Sequence, residues 1–205
     1  MNLIKSWSAK EISDFVDENR NTFSKLYKGE KYLLKKYISN NQSILDIGCA
    51  QGNLFSILKK KHKKLEYIGI DTNLEMIKLA KKKFPDGKFY NYKNLKYSNY
   101  FKKKFDIVII FGTLHVNSNW QKMLLEAYKV SSKCVLFDLR LKISNKQRTK
   151  NMLDLNLNKK KKKSPIPYYL LETSKLNIFF KKKFPTASLD IYSYKGKPSI
   201  YSDIR

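Results

Sequence analysis

A chain of 205 residues, 42% apolar and 14% aromatic, carries enough material for one substantial core, which excludes an intrinsically disordered chain despite 29% charged residues. Its net charge of +26 rests almost wholly on lysine, because arginine occurs only at positions 20, 140, 148 and 205. Readers of bases and phosphates favour the bidentate arginine fork, whereas Lys, Asn, Ile, Tyr and Phe share A/T-rich codons; base composition is a sufficient source of the charge, and a nucleic-acid partner is possible but not favoured. Cys49 and Cys134 have no partner at metal-ligand spacing. The N-terminal MNLIKSWSAKE lacks the apolar stretch of a signal sequence, and no run approaches a membrane span. These features predict one cytoplasmic domain over 1–205, with no metal and no membrane partner, and leave the oligomeric state open.

In chain order, Ser8-Ala9-Lys10-Glu11 is a capping box, followed by Ile12, Phe15 and Val16; Phe23, Leu26, Tyr27, Glu30, Leu33, Leu34 and Tyr37 continue at helical spacing, so helices occupy 1–40. Four short apolar runs follow: SILDIG at 43–48, YIGID at 67–71, FDIVIIFG at 105–112 and CVLFDL at 134–139, with a weaker KFYNY at 88–92. They read as buried parallel strands, apolar on both faces. Thr72-Asn73-Leu74-Glu75 is a second capping box, opening a helix predicted to bury Leu74, Ile77 and Ala80, and a helix from near Ser118 should bury Trp120, Leu124, Ala127 and Tyr128. Alternating strands and helices with right-handed crossovers predict an α/β, doubly wound, mostly parallel sheet, put at seven strands by adding a C-terminal antiparallel hairpin of LDIYSY at 189–194 with SIYSDIR. Thr173 or Ser174 should cap a helix through Leu176, Phe179 and Phe180. Lysine clusters at 59–64, 81–83, 102–104, 159–163 and 181–183 fall mostly at helix C-termini or in loops, where they complement the helix dipole. The polar stretch 142–164 reads as a loop poorly ordered without a bound partner.

The segment ILDIGCAQGN at 44–53 runs from a strand into a helix and aims free backbone N–H groups at one point, the arrangement that accepts anions and nucleotide polar groups. The dinucleotide fingerprint needs glycine at 48, 50 and 53, where this chain has Gly48, Ala50 and Asn53, so a nicotinamide or flavin site is disfavoured. The spacing resembles motif I of the class I S-adenosylmethionine (SAM)-dependent methyltransferases: an apolar strand, Asp46, then Gly48, Ala50 and Gly52 in place of three glycines. Ala50 is expected to hold a negative φ and to crowd a cofactor.

The resemblance extends to Asp71 at the end of YIGID, where the family has an acidic residue for the ribose hydroxyls. It also reaches Asn91 in N-Y-K-N-L, where the family has aspartate near the adenine amine, and the runs FDIVIIFGTLHV and CVLFDL. It implies SAM as cofactor, held by Tyr27, Asp46, Gly48, Cys49, Ala50, Gly52, Asn53, Asp71, Thr72, Asn91, Tyr92 and Phe111, with a cofactor-binding core at 41–140 and an acceptor-side segment with the hairpin at 141–205. Tyr27 and Glu30 resemble a Tyr-x-x-Glu element that would set the tyrosine ring over the sulfonium; the spacing equally suits a core aromatic.

His115, just past the fourth strand, and Asp138 and Arg140, at the end of the fifth, are the candidate catalytic residues, although taken singly a loop-bonding histidine and a structural ion pair account for them more simply. Paired tyrosines in SPIPYYLLE at 164–172 are expected in the acceptor wall. No NPPY or DPPY tetrad and no Pro-Cys nucleophile follows the fourth strand, which points away from base methylation. The expectation is methyl transfer to an oxygen or nitrogen of a small molecule; the alternatives are an RNA methyltransferase using the lysine surface and a SAM- or nucleotide-binding protein without catalysis.

Overall fold

The computed structural model describes residues 10–141, 152–154, 165–167 and 169–195. Helix α1 (Lys10–Asn19) is followed by a 3₁₀ turn (Phe23–Lys25) and α2 (Lys28–Tyr37). Then come β1 (Ser43–Ile47), α3 (Asn53–Lys61), β2 (Glu66–Asp71), α4 (Leu74–Lys83), β3 (Lys88–Asn91), α5 (Tyr97–Tyr100) and β4 (Phe105–Ile110). A 3₁₀ turn (Leu114–Val116), α6 (Trp120–Val130), β5 (Ser131–Phe137), β6 (Met152–Asp154), β7 (Pro165–Pro167) and α7 (Thr173–Lys183) complete it.

The five strands β3-β2-β1-β4-β5 form one parallel sheet. Side-chain alternation divides the core between its two faces. On one, Ile44, Ile107 and Ile109 pack with Phe55, Leu58, Ile77, Ala80 and Phe89; on the other, Leu45, Val108 and Ile110 pack with Leu124, Ala127 and Phe180. The sheet order reverses between β1 and β4, so the loops that follow these two strands diverge and leave a crevice at their carboxyl ends.

Among the described residues the predicted seven-stranded sheet is corrected to five strands, with β6 and β7 forming a separate antiparallel pair. LDIYSY at 189–194 is no strand: Leu189 and Ile191 are exposed, whereas Asp190 accepts hydrogen bonds from Lys36 Nζ and Tyr37 Oη, both at 2.7 Å, and Tyr192 stacks on Tyr32. Its polar and aromatic members are therefore used against α2, the reverse of what the alternation implied. The proposed hairpin partner at 199–205 and the polar stretch 142–164, apart from β6, lie outside the described residues.

Four helix readings also change. The run 23–37 breaks at Leu26 and Tyr27, both extended, because Glu30 Oε2 accepts the Tyr27 N–H at 2.9 Å and starts α2 afresh. The cap of α4 is Asn73, whose side-chain oxygen accepts from Glu75 N and Met76 N; the helix then turns Met76, Ile77 and Ala80 inward and leaves Leu74 48% exposed. Tyr128 is exposed too, lying edge-on to Phe184. Helix α7 follows Glu172, which provides no side-chain cap, and buries Phe179 and Phe180.

Between β1 and α3 the backbone turns through three left-handed positions, Gly48 (φ 82°), Ala50 (φ 47°) and Gly52 (φ 82°). Gly48 has no alternative, since a Cβ there would lie 2.2 Å from Thr113 Oγ1. Ala50 was expected at negative φ and is corrected: it takes up the conformation its missing glycine would have held, a strain of about 1–2 kcal/mol. Ala50→Gly relieves that strain while adding about 0.4–1 kcal/mol of unfolded-state entropy. It should therefore raise the melting temperature by roughly 1–4 °C; a lower melting temperature would show that the alanine methyl makes compensating contacts.

Candidate functional site

The loop after β1 is fastened to the end of β2. Gly48 N and Cys49 N both donate to Ile70 O, at 2.8 and 3.1 Å. Asp71 then bridges two loops: its Oδ2 accepts from Ala50 N at 2.9 Å and its Oδ1 from Asn73 N at 2.8 Å. Asn91 pairs in register with Asp71 and donates from Nδ2 to its carbonyl at 3.0 Å, which leaves the amide oxygen its acceptor lone pairs. Burial pushes the Asp71 carboxyl upward, and the backbone N–H groups of Asn73, Ala50 and Thr72 pull it back.

The structure thus brings together Gly48, Ala50, Gly52, Asp71 and Asn91 at one edge, with Thr72 exposed beside them. Tyr92 is half-buried next to Tyr100 and donates its hydroxyl to Lys96 O. Cys49 and Phe111 are buried beneath the loop as core residues. Asn53 turns the other way, its Nδ2 donating to Val16 O of α1 at 3.4 Å, and Gln51 accepts from Ser13 Oγ at 3.0 Å. Helix α1 therefore packs over the loop.

Asp46 is buried and accepts a hydrogen bond from the Tyr67 hydroxyl on β2. Burial pushes its carboxyl up to about 7; the Tyr67 bond and Arg20 oppose this, while Asp71 and Glu30 reinforce it. Tyr67 had no signal in the sequence beyond belonging to an apolar strand.

A second constellation surrounds Tyr27. Arg20 and Arg140 both set their guanidiniums 5.1 Å from its ring centroid. Arg20 pairs with the buried Glu30 at 2.6 Å. Arg140 pairs with Asp138 at 2.8 Å, and Asp138 Oδ1 accepts from Gly112 N at 2.6 Å. A sulfonium at the Tyr27 ring would share it with these arginines. His115 is buried in the turn after β4, its carbonyl accepting from Tyr169 N at 2.7 Å. Burial lowers its pKa to about 4, assisted by Arg140 and Arg20 and opposed by Asp138, so the imidazole is neutral at physiological pH. Tyr194, from the segment laid on α2, comes within electrostatic reach of Arg140, Glu30 and Asp138. Sequence reasoning singled out neither Tyr194 nor Arg20, although arginine's rarity in a lysine-rich chain was a usable signal for the latter.

Gly112, at φ 69°, has nothing within 4 Å of the place where a Cβ would stand. Among the described residues the space beside this backbone position is therefore open. Among the described residues no group of His, Cys, Asp and Glu could hold a metal ion, and no helix is long and apolar enough to cross a membrane.

A family model described as a methyltransferase domain matches residues 45–133, the span that contains the loop, Asp71 and Asn91. A tRNA (guanine-N(7)-)-methyltransferase of Clostridium botulinum is 37% identical over 87 residues, 40% of this chain and 37% of that protein. A trans-aconitate 2-methyltransferase of Afipia carboxidovorans is 31% identical over 83 residues, 40% of this chain and 30% of that protein. The structure of the plantazolicin methyltransferase BpumL in complex with SAH superposes with a TM-score of 0.53 at 24% identity, covering 67% of this chain and 57% of that one, which shows a shared fold. The chain spans less than half the length of the curated relatives it matches. The sheet order, the glycine loop and Asp71 agree with the matched methyltransferase domain, so over residues 45–133 the chain is similar to SAM-dependent methyltransferases.

Proposed function

We propose that the protein transfers a methyl group from SAM to an oxygen or nitrogen of a small-molecule acceptor. The observation that carries this reading is the juxtaposition of the left-handed Gly48–Gly52 loop with Asp71 and Asn91 at the sheet's switch point. SAM supplies an electrophilic methyl on a sulfonium. Asp71 keeps lone pairs for ribose hydroxyls after accepting two backbone N–H groups, since a carboxylate offers about four acceptor sites. Asn91 offers its amide oxygen to the adenine side, and the N-terminus of α3 presents backbone donors.

On the acceptor side, the Asp138–Arg140 and Arg20–Glu30 pairs fix a polar wall, and His115 positions the acceptor as a neutral group. Displacement on a sulfonium is chiefly a matter of alignment and dryness, which suits a site with a weakly basic imidazole. RNA methylation is the second reading, favoured by the lysine surface and the tRNA methyltransferase relative. It requires affinity for single-stranded RNA that falls with salt at roughly 0.7 per phosphate contact in log–log slope.

SAM and S-adenosylhomocysteine should each raise the melting temperature of the protein while NAD does not; a shift with NAD alone, or with none of the three, contradicts the cofactor assignment. Because His115 stays neutral down to about pH 4, turnover should show no limb from this residue between about pH 5 and 8. Wild type and His115→Asn should have parallel profiles in that range. A limb near the ordinary histidine value that disappears in the variant would instead make His115 a general base.

A further inference from the structure

A cavity of about 220 Å³ is lined by Asn19, Arg20, Lys25 and Tyr27, in the segment that joins α1 to α2. Among the described residues its lining holds two cationic groups, an amide and a phenol, and no carboxylate. Glu30 holds Arg20 through Oε1 and is itself only 1% exposed, while the Arg20 side chain is 24% exposed. Among the described residues this is the single hydrogen bond of the Arg20 side chain, from a group with five N–H donors. Lys25 lies at the exposed rim, its Nζ donating to Glu18 O.

Two further facts give this cavity direction. The chain has four arginines among 43 basic residues, and two of the four, Arg20 and Arg140, meet at Tyr27. Lysine serves almost everywhere else, so arginine here marks a place where a planar fork matters, as in bidentate recognition of a carboxylate. The Tyr27 ring also joins the cavity to Arg140, Asp138 and Gly112 at the ends of β4 and β5, the side on which an acceptor approaches.

We propose that this cavity binds a carboxylate of the methyl acceptor, with Arg20 as the fork and Lys25 as the second cation, so that the substrates are small organic acids or acids borne on a longer molecule. At about 220 Å³ the cavity admits the acid end of a molecule and leaves the reacting atom outside, toward Gly112. The assignment rests on the methyltransferase reading above. The methionine carboxylate of SAM offers the same chemistry and is the competing source.

The test uses calorimetric titrations of the full chain with succinate, S-adenosylhomocysteine and 5′-methylthioadenosine, which lacks a carboxylate. The proteins are wild type, Lys25→Gln and the double variant Arg20→Gln/Glu30→Gln, in which a neutral pair replaces the buried ion pair. With S-adenosylhomocysteine bound, succinate should bind wild type, bind Lys25→Gln roughly tenfold more weakly, and fail to bind the double variant, as the loss of charge-assisted hydrogen bonds requires. Affinity for S-adenosylhomocysteine should be equal in all three.

Succinate binding that is absent from wild type, or unchanged in both variants, overturns the proposal. So does a loss of S-adenosylhomocysteine affinity with 5′-methylthioadenosine affinity preserved, because that gives the cavity to the cofactor. Should wild type bind neither adenosine compound, the cofactor reading fails; succinate binding lost in the variants would then still uphold the carboxylate site. Melting temperatures of the three proteins establish that each is folded at the titration temperature.

Discussion

The site depends on the carboxylate of Asp71. One oxygen accepts from Ala50 N and the other from Asn73 N, so a single side chain ties the loop after β1 to the turn that starts α4. The first bond helps hold Ala50 in a left-handed conformation that its side chain disfavours, and the second orients Asn73 to cap α4. Around this hub the β2 carbonyl of Ile70 receives two more loop N–H groups, and Asn91 is drawn alongside by strand register. In the proposed role, a binding residue that also braces the backbone is set before a ligand arrives, which lowers the ordering cost of binding.

The constellation around Tyr27, proposed as the acceptor side, is built on the opposite principle, charge against charge. Arg20 with Glu30 and Arg140 with Asp138 arrange two cations and two carboxylates around one tyrosine ring. Removing one partner of such a partly buried pair leaves its mate uncompensated, so the wall is rigid for an electrostatic reason. His115, buried beside it, is held neutral chiefly by desolvation. Its sign in pH linkage is clear. The folded state resists protonation between about 4 and the ordinary histidine value of 6.5, so this group withdraws stability as pH falls through that window. Asp46, raised to about 7, acts oppositely, favouring the fold toward the acid end of its own window.

The strands were legible because a doubly covered parallel sheet demands uninterrupted apolar runs, and the residues proposed for the cofactor, Asp46, Gly48, Gly52, Asp71 and Asn91, could be placed because they sit at fixed distances from those runs. What escaped is non-local. Ala50 takes a positive φ because of a carboxylate 21 positions away, and Tyr67 matters through Asp46 on the adjoining strand. The alternating pattern at 189–194 misled because half of its residues are committed to α2 rather than to a sheet. Leu74 and Tyr128 sat at helix positions whose facing direction depends on the cap and on neighbouring Phe184, neither of which periodicity reports.

The central claim is that the Asp71 carboxylate serves the loop and a ribose at once. The direct measurement is a calorimetric cycle titrating wild type and Asp71→Asn with S-adenosylhomocysteine and with its 2′,3′-dideoxy analogue. If Asp71 accepts the ribose hydroxyls, removing them should weaken binding to wild type by at least roughly tenfold and have little further effect on the variant. Equal losses in both proteins would contradict the account, leaving Asp71 as a brace for the backbone alone.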